Sequence, residues 1–404
     1  MGTILLLIIY LAFISLGLPD SLLGASWPVM RPELGAPIGL AGVLSMTITV
    51  GTIVSSLASG AVARRFGTGP VTLASCILTA GALAGFSVAP SILWLMVCAI
   101  PLGLGGGAVD SVLNHYVAAR YKAHHMSWLH CFWGVGATVG PMIMASYLTG
   151  NATWRDGYLA VAGIQFSLVL VLFISLPLWK RLARQPGTDQ DKGHEEGKGT
   201  ALQENGRAGK SRLKGVVFAL ASFLFYCGVE TTVGLWGSSY LVKMKGLPAE
   251  QAALWISIYF AGITIGRFIT GFVTFKVSNR MLIRIGQSTA LAGALLLLLP
   301  LPSGFALAGL LITGLGLAPI FPCMLHETPI RFGEVHAQKI MGYQMATAYT
   351  GSTLLPPLLG LLAGFTTIGI FPLYIAISAA AMLLCSERLN VFLNKRNANN
   401  QAIH

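Results

Sequence analysis

Hydrophobic residues recur along this chain in runs of about 20, long enough to cross a bilayer as helices, separated by short polar turns. Segmenting on those runs predicts twelve spans. Six lie near 4–29, 39–62, 70–89, 92–118, 127–149 and 156–178; six more lie near 214–241, 250–275, 282–300, 304–328, 340–364 and 367–386. Residues 185–212 form the only long polar stretch, dense in Gly, Lys, Glu and Gln, with too little apolar surface to offset their ordering entropy. The expected division is a six-helix bundle over 1–178, a cytoplasmic linker over 179–213, a second six-helix bundle over 214–386 and a cytoplasmic tail over 387–404. The fold class is an all-α membrane protein with twelve transmembrane helices in two pseudo-symmetric bundles.

Composition agrees with the pattern. Of 404 residues, 54% are apolar and 10% charged, where soluble domains carry roughly a quarter charged, and the mean hydropathy is +0.72. The lipid bilayer is the expected environment. The excess of Lys and Arg, 26 against 14 acids, would suit nucleic acid if it were clustered on a soluble face. Instead, with the N-terminus inside, 21 of the 26 fall in cytoplasmic segments and four (Arg31, Arg155, Lys243, Lys245) in external loops. That asymmetry is the positive-inside rule. It places both termini in the cytoplasm of a plasma (inner) membrane protein and removes nucleic acid as a partner. No Lys or Arg occurs in residues 1–9, so the basic region of a cleavable signal is missing. The six cysteines all fall in spans without a CxxC pair and read as packing residues, so no metal site is expected.

The two sets of spans repeat each other. Asp20 stands four before Gly24, with Trp27 following; Glu230 stands four before Gly234, with Trp236 following. Gly103, Gly105 and His115 are spaced like Gly314, Gly316 and His326. The Gly103–Gly107 run lies mid-span with no preceding strand, so it reads as a surface for close helix packing and not as a phosphate cradle.

Ionisable groups inside spans are costly and default to functional candidates. Asp20 follows Pro19, which loosens its helix and frees backbone carbonyls; such an acid suits proton carriage, or else a hydrogen bond to another span. Asp110 has Asn114 one turn later on the same face. Asp20, Asp110 and Glu230 are the proton-coupling candidates. Asn114, His130, Trp133, Tyr226, Glu230, Tyr259, Gln344 and Tyr349 are the substrate-binding candidates, because aromatic faces beside acids and amides suit the apolar C–H faces and hydroxyls of a sugar. The bland alternative for each is helix packing. Arg64, Arg65 and Arg267 are gating or structural charges. Glu327 is expected to be solvated at the inner mouth, His115 and His326 to be interfacial, and Trp27, Trp236 and Trp255 to form an external aromatic belt.

Several strings resemble the fucose–galactose–glucose proton symporter branch of the major facilitator superfamily. Pro19-Asp20-Ser-Leu-Leu is similar to its first-span motif. Gly103-Leu-Gly105 followed by Asp110 and Asn114 is similar to its fourth, with Asp where the branch has Glu. Gly228-Val-Glu230-Thr and Ile265-Gly266-Arg267-Phe268 are similar to its seventh and eighth. The superfamily loop G-x-x-x-D-R-x-G appears as Gly60-Ala-Val-Ala-Arg64-Arg65-Phe66-Gly67, with Arg64 in the place of the aspartate. The resemblance implies a proton-coupled sugar importer working by alternating access, with functional carboxylates at Asp20 and Asp110. It implies no cofactor, protons as coupling ion with sodium the other possibility, and a monomer. An exporter of drugs or amphiphiles is the alternative on the same architecture, and a non-transporting receptor the alternative from another class. An enzyme is not expected, since no nucleophile–base pair or metal cluster is visible.

Overall fold

The computed structural model describes residues 2–121, 123–150, 152–183 and 206–401. Among them are fourteen α-helices and one short 3-10 turn, with no strand. A first half comprises α1 (Gly2–Asp20), α2 (Leu22–Glu33), α3 (Leu40–Phe66), α4 (Thr68–Ser87), α5 (Ile92–Arg120), α6 (Ala123–Leu148) and α7 (Trp154–Ala183). A second comprises α8 (Gly206–Lys245), α9 (Ala249–Val273), α10 (Asn279–Leu298), α11 (Ser303–Leu317), α12 (Ile320–Phe332), α13 (Glu334–Phe365) and α14 (Phe371–Gln401). In lipid only helices satisfy all their own backbone groups, which is why twelve apolar runs become twelve helical spans.

Eleven of these are long and apolar enough to cross a membrane. The expected span at 340–364 lies within the 32-residue α13, whose Gln, Tyr, Thr, Gly and adjacent prolines keep it less apolar. Spans one and ten are each broken in two, between α1 and α2 and between α11 and α12. Two expected boundaries shift. Helix α7 runs on to Ala183 and α8 begins at Gly206, while the remainder of the expected linker, 184–205, lies outside the described residues. The stretch expected as a tail is helical through Gln401.

Prolines and glycines set the packing. Pro19 has no N–H for the Ser15 carbonyl, and Gln165 of α7 donates to that oxygen instead, at 2.8 Å. Pro141 likewise frees the Ala137 carbonyl, which accepts from Ser21 Oγ at 2.9 Å. The repeated glycines let helices meet backbone to backbone. A Cβ at Gly103 would lie 2.1 Å from Ile48 O and one at Gly105 2.6 Å from Ser75 O. Their counterparts meet the equivalent helices, Gly314 at 2.3 Å from Tyr259 O and Gly316 at 2.3 Å from Ala290 N.

The tryptophans depart from expectation. Trp27 and Trp236 are fully buried and Trp255 nearly so; they fill the core, and Trp236 Nε1 donates to Pro356 O at 2.8 Å. Large apolar side chains on the outer helix faces are bare instead, with Leu57 82% exposed, as a lipid-facing surface requires.

Candidate functional site

The two halves enclose a central cavity of about 930 Å³. At one end it is closed by glycine contacts between halves: a Cβ on Gly24 of α2 would lie 2.0 Å from Gly234 O of α8, and one on Gly42 of α3 would lie 2.6 Å from Pro357 Cα of α13. Near that end Leu23, Leu235 and Phe260 are buried. At the other end the lining residues Thr274, Phe275 and His326 are exposed, and the cavity opens there.

Its centre holds a chain of polar contacts from one half to the other. Asp20, the last residue of α1 before the break, accepts from Trp133 Nε1 at 2.8 Å. The Trp133 ring lies under the Arg267 guanidinium, 5.4 Å from its centroid. Arg267 Nη2 donates to Glu230 Oε1 at 3.0 Å and to Tyr226 Oη at 3.1 Å. Helix α6, which carries Trp133, packs against α9, which carries Arg267, and Gly134 makes room for Thr264 there. His130, one turn from Trp133, also lines the cavity and stands edge-on to Phe13 at 6.1 Å between centroids.

The cavity wall includes Asp20, Asp110, Glu230, His130, Trp133, Tyr349 and Arg267 from the expected set. The other expected residues lie elsewhere. Asn114 sits behind Asp110, donating to its Oδ1 and to its backbone oxygen, each at 2.9 Å. Tyr226 and Tyr259 are fully buried, and the Tyr259 hydroxyl donates to Glu230 O at 3.1 Å. These two brace the Glu230–Arg267 pair, where sequence alone would have them touch solute. Gln344 is 1% exposed and accepts from Thr328 Oγ1 at 2.9 Å inside the second half. Arg64 and Arg65 are exposed at the end of α3, outside the cavity wall, and neither forms an ion pair among the described residues. Glu327 is not solvated at the mouth: Arg331 Nε donates to it at 3.1 Å with both side chains mostly buried. His326 does reach the mouth, hydrogen-bonded to Asn279 at 3.0 Å.

Several lining residues were missed in the sequence. Ser45, Thr49 and Thr52 present hydroxyls at helical spacing along α3, and Gln165 contributes an amide from α7. The first three were legible in principle as a polar stripe; Gln165 was legible as an amide within an apolar run. Among the described residues no group of three or more His, Cys, Asp or Glu is placed to hold a metal ion. The site therefore offers carboxylates, a guanidinium, hydroxyls, an imidazole and aromatic faces, and in this conformation it opens at one end.

Comparison with known proteins bears on the same architecture. The chain is 27% identical over 296 residues to the glucose/mannose transporter GlcP of Bacillus subtilis, covering 72% of this chain and 70% of that one. It is 25% identical over 276 residues to Bypass of stop codon protein 6 of Saccharomyces cerevisiae, covering 65% of this chain, and it spans about half the length of that yeast protein, 55%. Among solved structures it is similar to the inward-open xylose transporter XylE from E. coli, with a TM-score of 0.76 at 14% identity over 97% of this chain and 96% of that one. It is equally similar to the peptide transporter POT in complex with sulfate, with a TM-score of 0.76 at 14% identity over 96% and 94% of the two chains. The family model of the Major Facilitator Superfamily matches residues 9–334, and with twelve helical spans in two repeated halves around a central cavity, the chain belongs to that superfamily of membrane transporters.

Proposed function

We propose that this transporter imports a small polar solute, a sugar, together with protons, by alternating access across the plasma (inner) membrane. The observation that carries the reading is the charge inventory of the cavity wall: among the described residues Glu230 holds the one guanidinium of the wall, and Asp20 and Asp110 have no ion-pair partner. An acid so placed inside a bilayer is a site for taking up and releasing a proton as water access alternates between the two sides. The hydroxyls of α3, the face of Trp133 and Tyr349 suit a solute with both hydroxyls and apolar C–H faces. The relative GlcP, named for glucose and mannose, and the branch resemblance of Asp20, Asp110 and Arg267 favour the same class. The distribution of 21 of 26 cations orients the open end toward the cytoplasm. No cofactor takes part, and one chain supplies both halves of the site.

The test is uptake of D-glucose, D-mannose and L-fucose into proteoliposomes under an inward proton gradient, with a sodium gradient as control for the coupling ion. Wild-type protein is expected to accumulate one of these sugars. Asp20→Asn is expected to lose gradient-driven accumulation while still exchanging internal for external sugar. Gradient-driven accumulation by Asp20→Asn would move the proton site to Asp110. No sugar uptake, with proton-driven extrusion of a lipophilic cation, would replace import by export.

A further inference from the structure

Gln165 sits in the middle of α7 and makes one evident contact, in which its Nε2 donates to Ser15 O at 2.8 Å and supplies the hydrogen bond that Pro19 cannot. A backbone carbonyl only accepts, so this bond fixes which end of the amide faces α1. The other end, Oε1, is buried and has no partner among the described residues. The residue is 1% exposed yet belongs to the wall of the central cavity. Across the cavity, in the second half, Arg267 Nε is also buried without a partner and belongs to the same wall. Two wall residues, one on each half, thus carry a buried unmet acceptor and a buried unmet donor. A second buried glutamine, on a helix that is not the repeat counterpart of α7, supplies a comparison. Gln287 of α10 is fully buried, donates to Ser222 Oγ at 3.1 Å and also leaves its Oε1 unpartnered, but it lies outside the cavity wall. An orphaned amide oxygen alone is compatible with a packed core in this fold. Its place on the wall is what sets Gln165 apart.

We infer that Gln165 Oε1 is a solute-binding acceptor, a subsite on the α1–α7 side of the cavity for a hydroxyl of the bound solute. The inference rests on the sugar reading above. A hydroxyl group both donates and accepts, so one sugar can satisfy Gln165 Oε1 with one hydroxyl and Arg267 Nε with another; a lipophilic cation can do neither. Gln165 is nearly sealed in this conformation, so its use by the solute requires the wall around it to open.

The experiment separates this role from the capping of Ser15. Pro19→Ala restores a backbone N–H for Ser15 O, so in that background Gln165→Leu removes the solute acceptor without leaving the carbonyl bare. Binding of D-glucose and its monodeoxy analogues to the full-length protein in nanodiscs is compared for Pro19→Ala and Pro19→Ala/Gln165→Leu. The double variant is expected to bind D-glucose about 5- to 150-fold more weakly. One monodeoxy analogue, lacking the hydroxyl that Gln165 contacts, is expected to bind both proteins equally. Equal affinity of the two proteins for D-glucose overturns the inference, and so does a loss of the same size for every analogue, which reports a distorted site. Gln165→Met gives the same comparison if the leucine variant does not fold. If wild-type protein binds no D-glucose, D-mannose or L-fucose, the sugar reading fails first and takes the inference with it. That result is distinct from a sugar-binding wild type with an indifferent Gln165.

Discussion

Trp133 touches the charges of both halves, giving its indole N–H to Asp20 and its ring face to Arg267. Phenylalanine at this position keeps the ring and removes the N–H. A hydrogen bond to a charged group contributes about 1.5–3 kcal/mol, so Trp133→Phe is expected to lower gradient-driven uptake by about 10-fold or more while exchange of internal for external sugar persists. Parallel measurement of the two activities checks this; equal loss of both would make Trp133 a plain solute contact. The acids of the site were legible in the sequence because a carboxylate inside an apolar run has no cheap structural excuse. Tyr226, Tyr259 and Gln344 were not, since a phenol or amide looks the same whether it faces a cavity or a neighbouring helix. What decides is the phase of the helix about its axis, and in helices that are apolar almost all round the sequence pattern barely records that phase.

Glycines divide into two kinds according to which helices they bring together. Gly103 lies against Ile48 O within the first half, a contact that the proposed alternating access leaves alone; Gly24 lies against Gly234 O between halves, a contact that the proposal requires to part. Gly103→Val is therefore expected to destabilise the fold by about 1–3 kcal/mol through overpacking, seen as a lower Tm. Gly24→Val is expected to leave Tm nearer the wild-type value and to hold the closed end apart. Labelling of a cysteine at Ser352, on the cavity wall, by a membrane-impermeant maleimide reads the difference. Labelling from the end bearing Glu33 and Arg155 should rise with Gly24→Val and stay at the wild-type level with Gly103→Val. The repeated Gly-Leu-Gly strings announced close packing, and the structure places them at equivalent crossings. Which glycines bridge the halves could not be read, because pairings between distant spans leave no local trace.

Apolar runs of about 20 residues were legible as spans because a helix of that length satisfies its own backbone groups within a bilayer, and eleven such helices stand among the described residues. The pose of one half against the other was not, since the helix pairs that hold it, α6 with α9 and α3 with α13, join spans far apart in sequence and carry no periodic signal. Orientation in the membrane is checked with single cysteines in a cysteine-free background: Lys276→Cys should react only from inside cells and Lys243→Cys only from outside, and the reverse would invert the topology. The break in the first span carries a kinematic consequence. A proline kink is ordinarily where a helix flexes, yet this one is splinted: Gln165 holds Ser15 O below it, Ser21 holds Ala137 O beside it, and Glu33 at the far tip of α2 binds Trp154 Nε1 and Arg155 of α7. The first half has no free joint at the place that looks most like one. α1 and α2 are thereby bound to α6 and α7 as one body, so any swing of the first half carries its share of both ends of the cavity together.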